Sequence, residues 1–435
     1  MSEDFKNTSG WLRVQWTNPR DIFTILLIIG GDIVRVAVAQ VCAGPVPYLT
    51  PVTFSFGWIS YAVSAMLSAM GDTRLMPNPE LDCLLINAKT GYARANKSWI
   101  LSRMLRDFDY WYPRLVDSEE SAKTTVLQRA STGKQRIRIG LRVSVWHCTK
   151  AVDRGHGDVV YWIGLLVATL QLALAAIPWG LYGEWLTFMV TAVGTILAFV
   201  SGSLPQWTEE KYGVRNLTER KDVILTQGNG AHDALLILGP GNGLDLEAMA
   251  APYRQVKCLA TTRVSSILLA TLWIALLICV AGWQQRTWYL LGIGILGLIH
   301  NVFAAGKKRQ PSAFGIHLIY RETIVEEKVM HTLWRLEEGY PGAGKALLDT
   351  FFPGKLRKRE DSLWAFAEKR CQACKGKSSA ERGKWGSVPP FRSPNGLNDY
   401  IDDIPIEGAY GEVTNDCAGE SNRKKTCSDD SSALG

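Results

Sequence analysis

Six apolar stretches constrain this chain more than any other feature of its 435 residues. They cover residues 22–41, 52–70, 159–178, 185–202, 264–283 and 288–306. Each is long enough to cross a hydrocarbon core of about 30 Å as a helix, and too long for a buried strand. Only the first contains a formal charge, and aromatic residues such as Tyr161, Trp162, Trp179, Trp185, Trp207, Trp283 and Trp288 mark the ends, as rings do at headgroup level. A mean hydropathy of +0.01 hides this pattern, because the polar segments between the blocks carry most of the charge. A secreted disulfide scaffold, a coiled coil, a collagen-like chain and a wholly disordered chain are all excluded.

The spacing predicts a polytopic α-helical membrane protein with six transmembrane helices in three hairpins, 1–2, 3–4 and 5–6. Of the 48 Lys and Arg residues, 46 fall in 1–20, 72–158, 203–263 and 307–435. Those close to helix ends (Arg13, Arg20, Arg74, Lys150, Arg154, Lys211, Arg263, Lys307, Lys308 and Arg309) share one side. The positive-inside rule then makes both termini cytosolic and puts the 43–51 connection outside. The alternative is a signal peptide cleaved after Ala37-Val38-Ala39, which the acidic leader and the charges near the site argue against. The net charge of +7 reads as orientation signal and attraction to anionic lipid, not as nucleic-acid binding. With this sidedness only Cys42 of nine cysteines approaches the outside, so no disulfide framework is expected, and the triplets at Asn7, Asn96 and Asn216 should be unglycosylated.

The polar segments predict a cytosolic α+β domain assembled from the inner loops. Residues 135–146 alternate with period two, leaving Arg136, Arg138 and Arg142 for water, headgroups or a partner. Residues 82–87, 223–226, 234–238 and 316–320 read as further strands, with 223–238 a hairpin around Gly228-Asn229-Gly230. An amphipathic helix over 96–112 covers the sheet or, in a functional reading, docks on the inner leaflet. A helix is expected over 322–338 within the cytosolic segment 307–375, and 376–435 reads as a disordered tail.

No cofactor or metal motif is complete. Gly339–Ala346 has the spacing of a phosphate-binding loop but lacks a preceding strand and a final hydroxyl, and reads as a turn. Gly239, Gly241 and Gly243 have the wrong spacing for a dinucleotide fingerprint. Cys371 and Cys374 make half a zinc knuckle. Ser201, Ser203 and His300 fall toward one side of the membrane, where a serine–histidine hydrolase would need them in contact.

Asp32 and Arg35 are the candidate site. Three residues apart in the first apolar block, they form an intramembrane polar pair, since a lone charge there costs about 2.5–3.5 kcal/mol. Ser60, Ser64 and Ser68 repeat along the second block and offer partners, and Gln171 could join them. The pair is either a proton- or substrate-handling site or a structural ion pair.

The stretches 86–99 (INAKTGYARANKSW) and 222–230 (DVILTQGNG) resemble multi-pass membrane proteins of filamentous fungi that have no assigned activity. The resemblance covers the first helix to about residue 370, implies the same multi-pass fold and, as context, a secondary-metabolite pathway. It transfers no catalytic residue. The expected function is a non-enzymatic accessory or scaffold protein, with the lipid bilayer and a protein bound through the inner loops as partners. A small-molecule or proton-coupled transporter using Asp32 and Arg35 comes second, and a membrane-embedded enzyme third.

Overall fold

A computed structural model describes residues 20–71, 74–117, 140–239, 241, 243–251, 260–282, 287–358, 360–362 and 364–365, with side chains from Ile29 onward. The expectations for residues 1–19, 135–139 and 376–435, for Asn7, and for Cys258, Cys371, Cys374, Cys417 and Cys427 lie outside these. The chain divides into Met1–Gly354, described below, and Lys355–Gly435.

Four helical stretches are long and apolar enough to cross a membrane: Val159–Tyr182, Leu186–Tyr212, Ala260–Ala281 and Thr287–Gly306. Helix α1 is Arg20–Val41 and α2 is Gly57–Met70. In the polar region α3 is Trp99–Arg106 and α4 Phe108–Asp117. Then come α5 (Val159–Tyr182), α6 (Leu186–Gly202) and α7 (Pro205–Tyr212). Asp158 caps the start of α5 by accepting from the Tyr161 N–H, and left-handed Gly183 ends it. Pro205 starts α7 where its missing N–H costs nothing. The one-turn α8 is Leu246–Met249, followed by α9 (Ala260–Ala281), α10 (Thr287–Gly306), α11 (Val329–Gly339) and α12 (Ala343–Phe351).

The long helices form a ring in which α1 packs on α2, α2 on α9, α9 on α6, α6 on α5, α5 on α10 and α10 on α1. Side chains such as Leu166, Ile196, Ile278 and Ile299 point outward, exposed, while Ala168, Ala175, Ala198 and Ala304 are buried. Small residues inside and large apolar ones outside is how helices associate in lipid. Helix α9 packs mainly on α2 and α6, and α10 mainly on α1 and α5 with a smaller contact to α6.

The second predicted span is corrected. Residues 52–56 are extended, and α2 has only 14 residues, about 21 Å at 1.5 Å per residue. Val52, Thr53, Phe54, Ser55 and Phe56 are all buried inside the ring. The helices are notched to receive them. A Cβ on Gly164 would strike the Pro51 carbonyl, on Gly194 the Phe54 ring, on Gly294 the Phe56 ring and on Gly297 the Phe54 carbonyl. Irregular backbone inside a membrane bundle survives only where protein groups satisfy it, and here Asn301 and Gln171 donate to the Thr53 and Phe54 carbonyls. The connection before it is corrected too. The Thr50 hydroxyl donates to Gly202 O, the Ser203 hydroxyl to Tyr48 O and the Tyr161 hydroxyl to Leu49 O. Residues 42–50 therefore lie at the end of the ring that meets the polar region, not at the far end.

The polar region is α+β with a mixed sheet. Its strands are β1 (Leu84–Asn87), β2 (Ala93–Ala95), β3 (Leu141–Ala151), β5 (Val223–Thr226), β6 (Asp233–Leu238) and β8 (Ile316–Glu326), in the order β2-β1-β5-β6-β3-β8. Only β3 and β6 are parallel. Two-residue β4 (Asn216–Leu217) and β7 (Gly243–Leu244) pair separately. The three polar segments thus contribute strands to one sheet, as expected. Strand β8 runs to Glu326, into the stretch expected to be helical, because Ile324 and Val325 pair with Val143 and Arg142 and outweigh the local pattern. The 96–112 helix is two helices breaking at Asp107, and it covers the sheet: Trp111 meets Trp146 edge-on at 5.0 Å. Arg142 pairs with Asp233 instead of facing outward alone.

Candidate functional site

The sequence-derived candidates separate. Asp32 is exposed on α1, and Arg35 reaches away from it. The Arg35 guanidinium donates to Leu75 O (2.7 Å), Arg74 O (2.9 Å) and Met76 O (3.0 Å). The other face of that link is held by Glu210, which accepts from the N–H groups of Leu75 (3.1 Å) and Met76 (2.8 Å). Ser60 sits against Gly31, and Ser64 donates to Ser60 O within its own helix. Arg35 is thus the clamp of a loop, and the structure does not bring it together with Asp32, Ser60 and Ser64.

A polar cluster that the sequence reading assembled only in part surrounds the extended segment. Thr53 Oγ1 lies 3.0 Å from His300 Nδ1, 3.1 Å from Asn301 Oδ1 and 3.2 Å from Gly297 O. Asn301 Nδ2 donates to Thr53 O and Ser55 Oγ, and the Trp58 indole donates to Thr53 O at 2.9 Å. Gln171 Nε2 donates to Phe54 O (2.8 Å) and Ile293 O (2.9 Å), cross-linking α5, the extended segment and α10. His300 Nε2 and Gln171 Oε1 are buried without a hydrogen-bond partner among the described residues. Ser201 accepts from the Trp273 indole and Ser203 donates to Tyr48 and Phe199 carbonyls, so neither serine is bonded to His300. The hydrolase geometry is absent among the described residues.

A second cluster joins the ring to the polar region. Lys211, buried in α7, donates to Ala39 O and Cys42 O, both at 2.9 Å, closing the end of α1. Arg309 holds Asp158 through two bonds of 2.7 and 2.8 Å and donates to Gln40 O. Arg103 donates to Ala305 O (2.6 Å) and Lys307 O (3.3 Å) at the end of α10, and pairs with Glu80. Arg263 donates to Ala69 O at the end of α2. Cations at helix C-termini satisfy orphan carbonyls and oppose the dipole. The polar region is therefore the cap of the membrane helices.

Beside the sheet, buried Asp245 caps the start of α8 by accepting from the N–H groups of Glu247 and Ala248 and pairs with Lys221 and Arg215. Burial pushes its carboxyl up, but those donors and cations win and hold it below its usual range. Glu247 is the same: burial opposes Lys221, Asn87, Arg94 and their bonds, and the pKa ends lowered.

The phosphate-loop lookalike is filled by the protein itself. Glu337 accepts from Gly342 N (2.7 Å) and Lys345 N (3.0 Å), so a carboxylate occupies the donors a phosphate would use. Gly239, Gly241 and Gly243 lie between β6 and α8, with the Gly239 N–H on Asp222.

No family model, curated protein or solved structure matches the chain. The cleft lined by Arg74, Lys97, Trp99 and Glu210 has a volume of about 30 Å³, against roughly 300–1,000 Å³ for small-molecule sites. What the fold builds most heavily is the capped seam between ring and sheet.

Proposed function

We propose that this chain is a non-enzymatic accessory or scaffold protein of a membrane, whose α+β region is the working surface. The seam carries the reading: Lys211, Arg309 and Arg103 tie that region to the ends of α1 and α10, so it is presented in a fixed orientation. A tethered domain on a mobile linker has no use for such bonds. A protein partner recognised by this surface and the bilayer itself are the partners in this reading, and a fungal secondary-metabolite pathway remains its context.

In this reading the α+β region faces the cytosol, the side that the basic residues near the helix ends favour. At the amino end charge and geometry disagree. Arg13 and Arg20 argue for the cytosol, whereas α1 ends at the α+β side and rises about 33 Å over its length, sending Arg20 to the far side. We give the geometry precedence.

The second reading is a small-molecule or proton-coupled transporter, first suggested by Asp32 and Arg35. It is favoured by the extended segment 52–56 inside the ring and by the His300 and Gln171 atoms beside it that have no hydrogen-bond partner among the described residues, since irregular backbone within a bundle marks transport sites.

The test is purification from native membranes in mild detergent, with a parallel reconstitution into sealed liposomes. A scaffold retains a stoichiometric protein partner that charge reversal at Arg321 and Glu322, exposed on β8, releases. A protein that elutes alone, and whose liposomes take up a solute in a manner abolished by Thr53→Val, replaces this reading with the second.

A further inference from the structure

An acid stands on the outer face of the ring, far from either helix end. Helix α1 packs along α10, one of the four helices long and apolar enough to cross a membrane. The two are level at the α+β end, where the Gln40 amide donates to the Ala305 and Lys307 carbonyls. Asp32 precedes Gln40 by eight residues, or about 12 Å at 1.5 Å per residue. That brings it level with Gly297, midway along Thr287–Gly306. There Asp32 is exposed, and among the described residues it has neither a hydrogen-bond nor an ion-pair partner. Arg35, the cation closest in sequence, is committed to the carbonyls of Arg74, Leu75 and Met76.

The surroundings make a face of this position. Ile29 is exposed one turn before Asp32, and Ser64 and Leu67 are exposed on the neighbouring α2. Helix α2 meets α1 at Gly30 and rises from there: Gly57 touches Gly30, Ser60 touches Gly31, and Ala69 O is held by Arg263 at the α+β end. Residues 20–29 of α1 therefore run on without α2 beside them. An acid facing hydrocarbon at mid-depth is costly, and such groups pair with an opposite charge. A second copy of this chain has none to give. Its apolar stretches 22–41, 52–70, 159–178, 185–202, 264–283 and 288–306 contain no Lys or Arg except Arg35, and it would bring another Asp32 to the contact.

We infer that the outer α1–α2 face docks a transmembrane helix of a different membrane protein, whose Lys or Arg at mid-depth meets Asp32. The contact gives a stated chemistry to the partner of the accessory reading, on which it rests, and places it in the membrane as well as on the α+β surface.

The test uses full-length protein in phosphatidylcholine vesicles, reconstituted together with a biotinylated single-span peptide of leucine and alanine that has one lysine at its midpoint. The vesicles are dissolved in mild detergent, and the protein retained with the peptide on streptavidin is measured. The lysine peptide should retain about tenfold more protein than an all-apolar peptide or one with a central aspartate, as one charge-assisted bond implies. Asp32→Asn should abolish that preference and Asp32→Glu should keep it. Asp349→Asn, exposed on α12, should leave it unchanged. Matching elution profiles for wild type and Asp32→Asn keep the result independent of folding. Equal retention by the three peptides, or a lysine preference that survives Asp32→Asn, overturns the docking face. The peptide has no soluble part, so that outcome leaves the accessory reading to its own test, release of a partner by charge reversal at Arg321 and Glu322.

Discussion

Gly30 of α1 and Gly57 at the start of α2 meet so closely that a Cβ on either would lie 2.5 Å from the other's backbone. Their contact fixes where the extended segment stops and the short helix begins. Gly57→Ala should separate the two helices, at a cost of about 1–3 kcal/mol from overpacking, visible as a lower melting temperature in detergent. Gly180→Ala, which meets nothing within 4 Å, is the control and should melt like wild type. Equal melting of both variants would refute the close approach.

Arg309→Met removes the partner of Asp158 and one donor to the end of α1. Breaking a mostly buried pair leaves a charge unpaired and costs about 3 kcal/mol. The double variant Arg309→Met, Asp158→Asn should recover part of it, because the stranded charge is gone. Thermal unfolding of the four proteins closes the cycle, and simple additivity would mean that the two side chains do not act together.

Asp245 and Glu247 predict an acid limit for the sheet. Both carboxyls titrate lower folded than unfolded, so their contribution is complete above the ordinary values of about 3.9 and 4.3. It disappears as pH falls through the lower, folded values. Hydrogen exchange over 84–87 and 223–226 should accelerate in that window and stay flat near neutrality. Asp245→Asn should blunt the acid response, and an undiminished response would assign it to other groups.

An epitope tag before Met1 and another in the Gly228–Gly230 turn should be cleaved by protease from opposite sides of sealed vesicles. Cleavage from one side would restore the arrangement in which α1 returns to the side of the sheet.

Apolar run length made five of the helices legible within a few residues, because burial in lipid depends on composition. It failed at 52–56, where hydropathy reports what a residue is and not its dihedrals. Val52-Thr53-Phe54-Ser55-Phe56 is as apolar as a helix and alternates like a strand. Strand β5 was legible to the residue, since a turn signal follows it directly. The Asp32–Arg35 reading followed the i, i+3 rule, but a long guanidinium found three carbonyls some 40 residues on. The seam was illegible for the same reason at greater range: Lys211 meets Ala39 and Cys42, and Arg309 meets Asp158 and Gln40, pairings only the fold creates. The Thr53–Asn301 contact spans 248 residues.

The strand order of the sheet has a consequence in time. Strands β1, β2 and β3 leave the ribosome before α5, β5 and β6 only after α6, and β8 only after α10. Since β3 lies between β6 and β8, it has neither neighbour until the intervening helices are made. Such distant pairings form late. Completion of the sheet therefore reports that α5, α6, α9 and α10 have all been inserted, and a chain stalled before residue 316 carries an unpaired β3 edge for quality-control machinery to find.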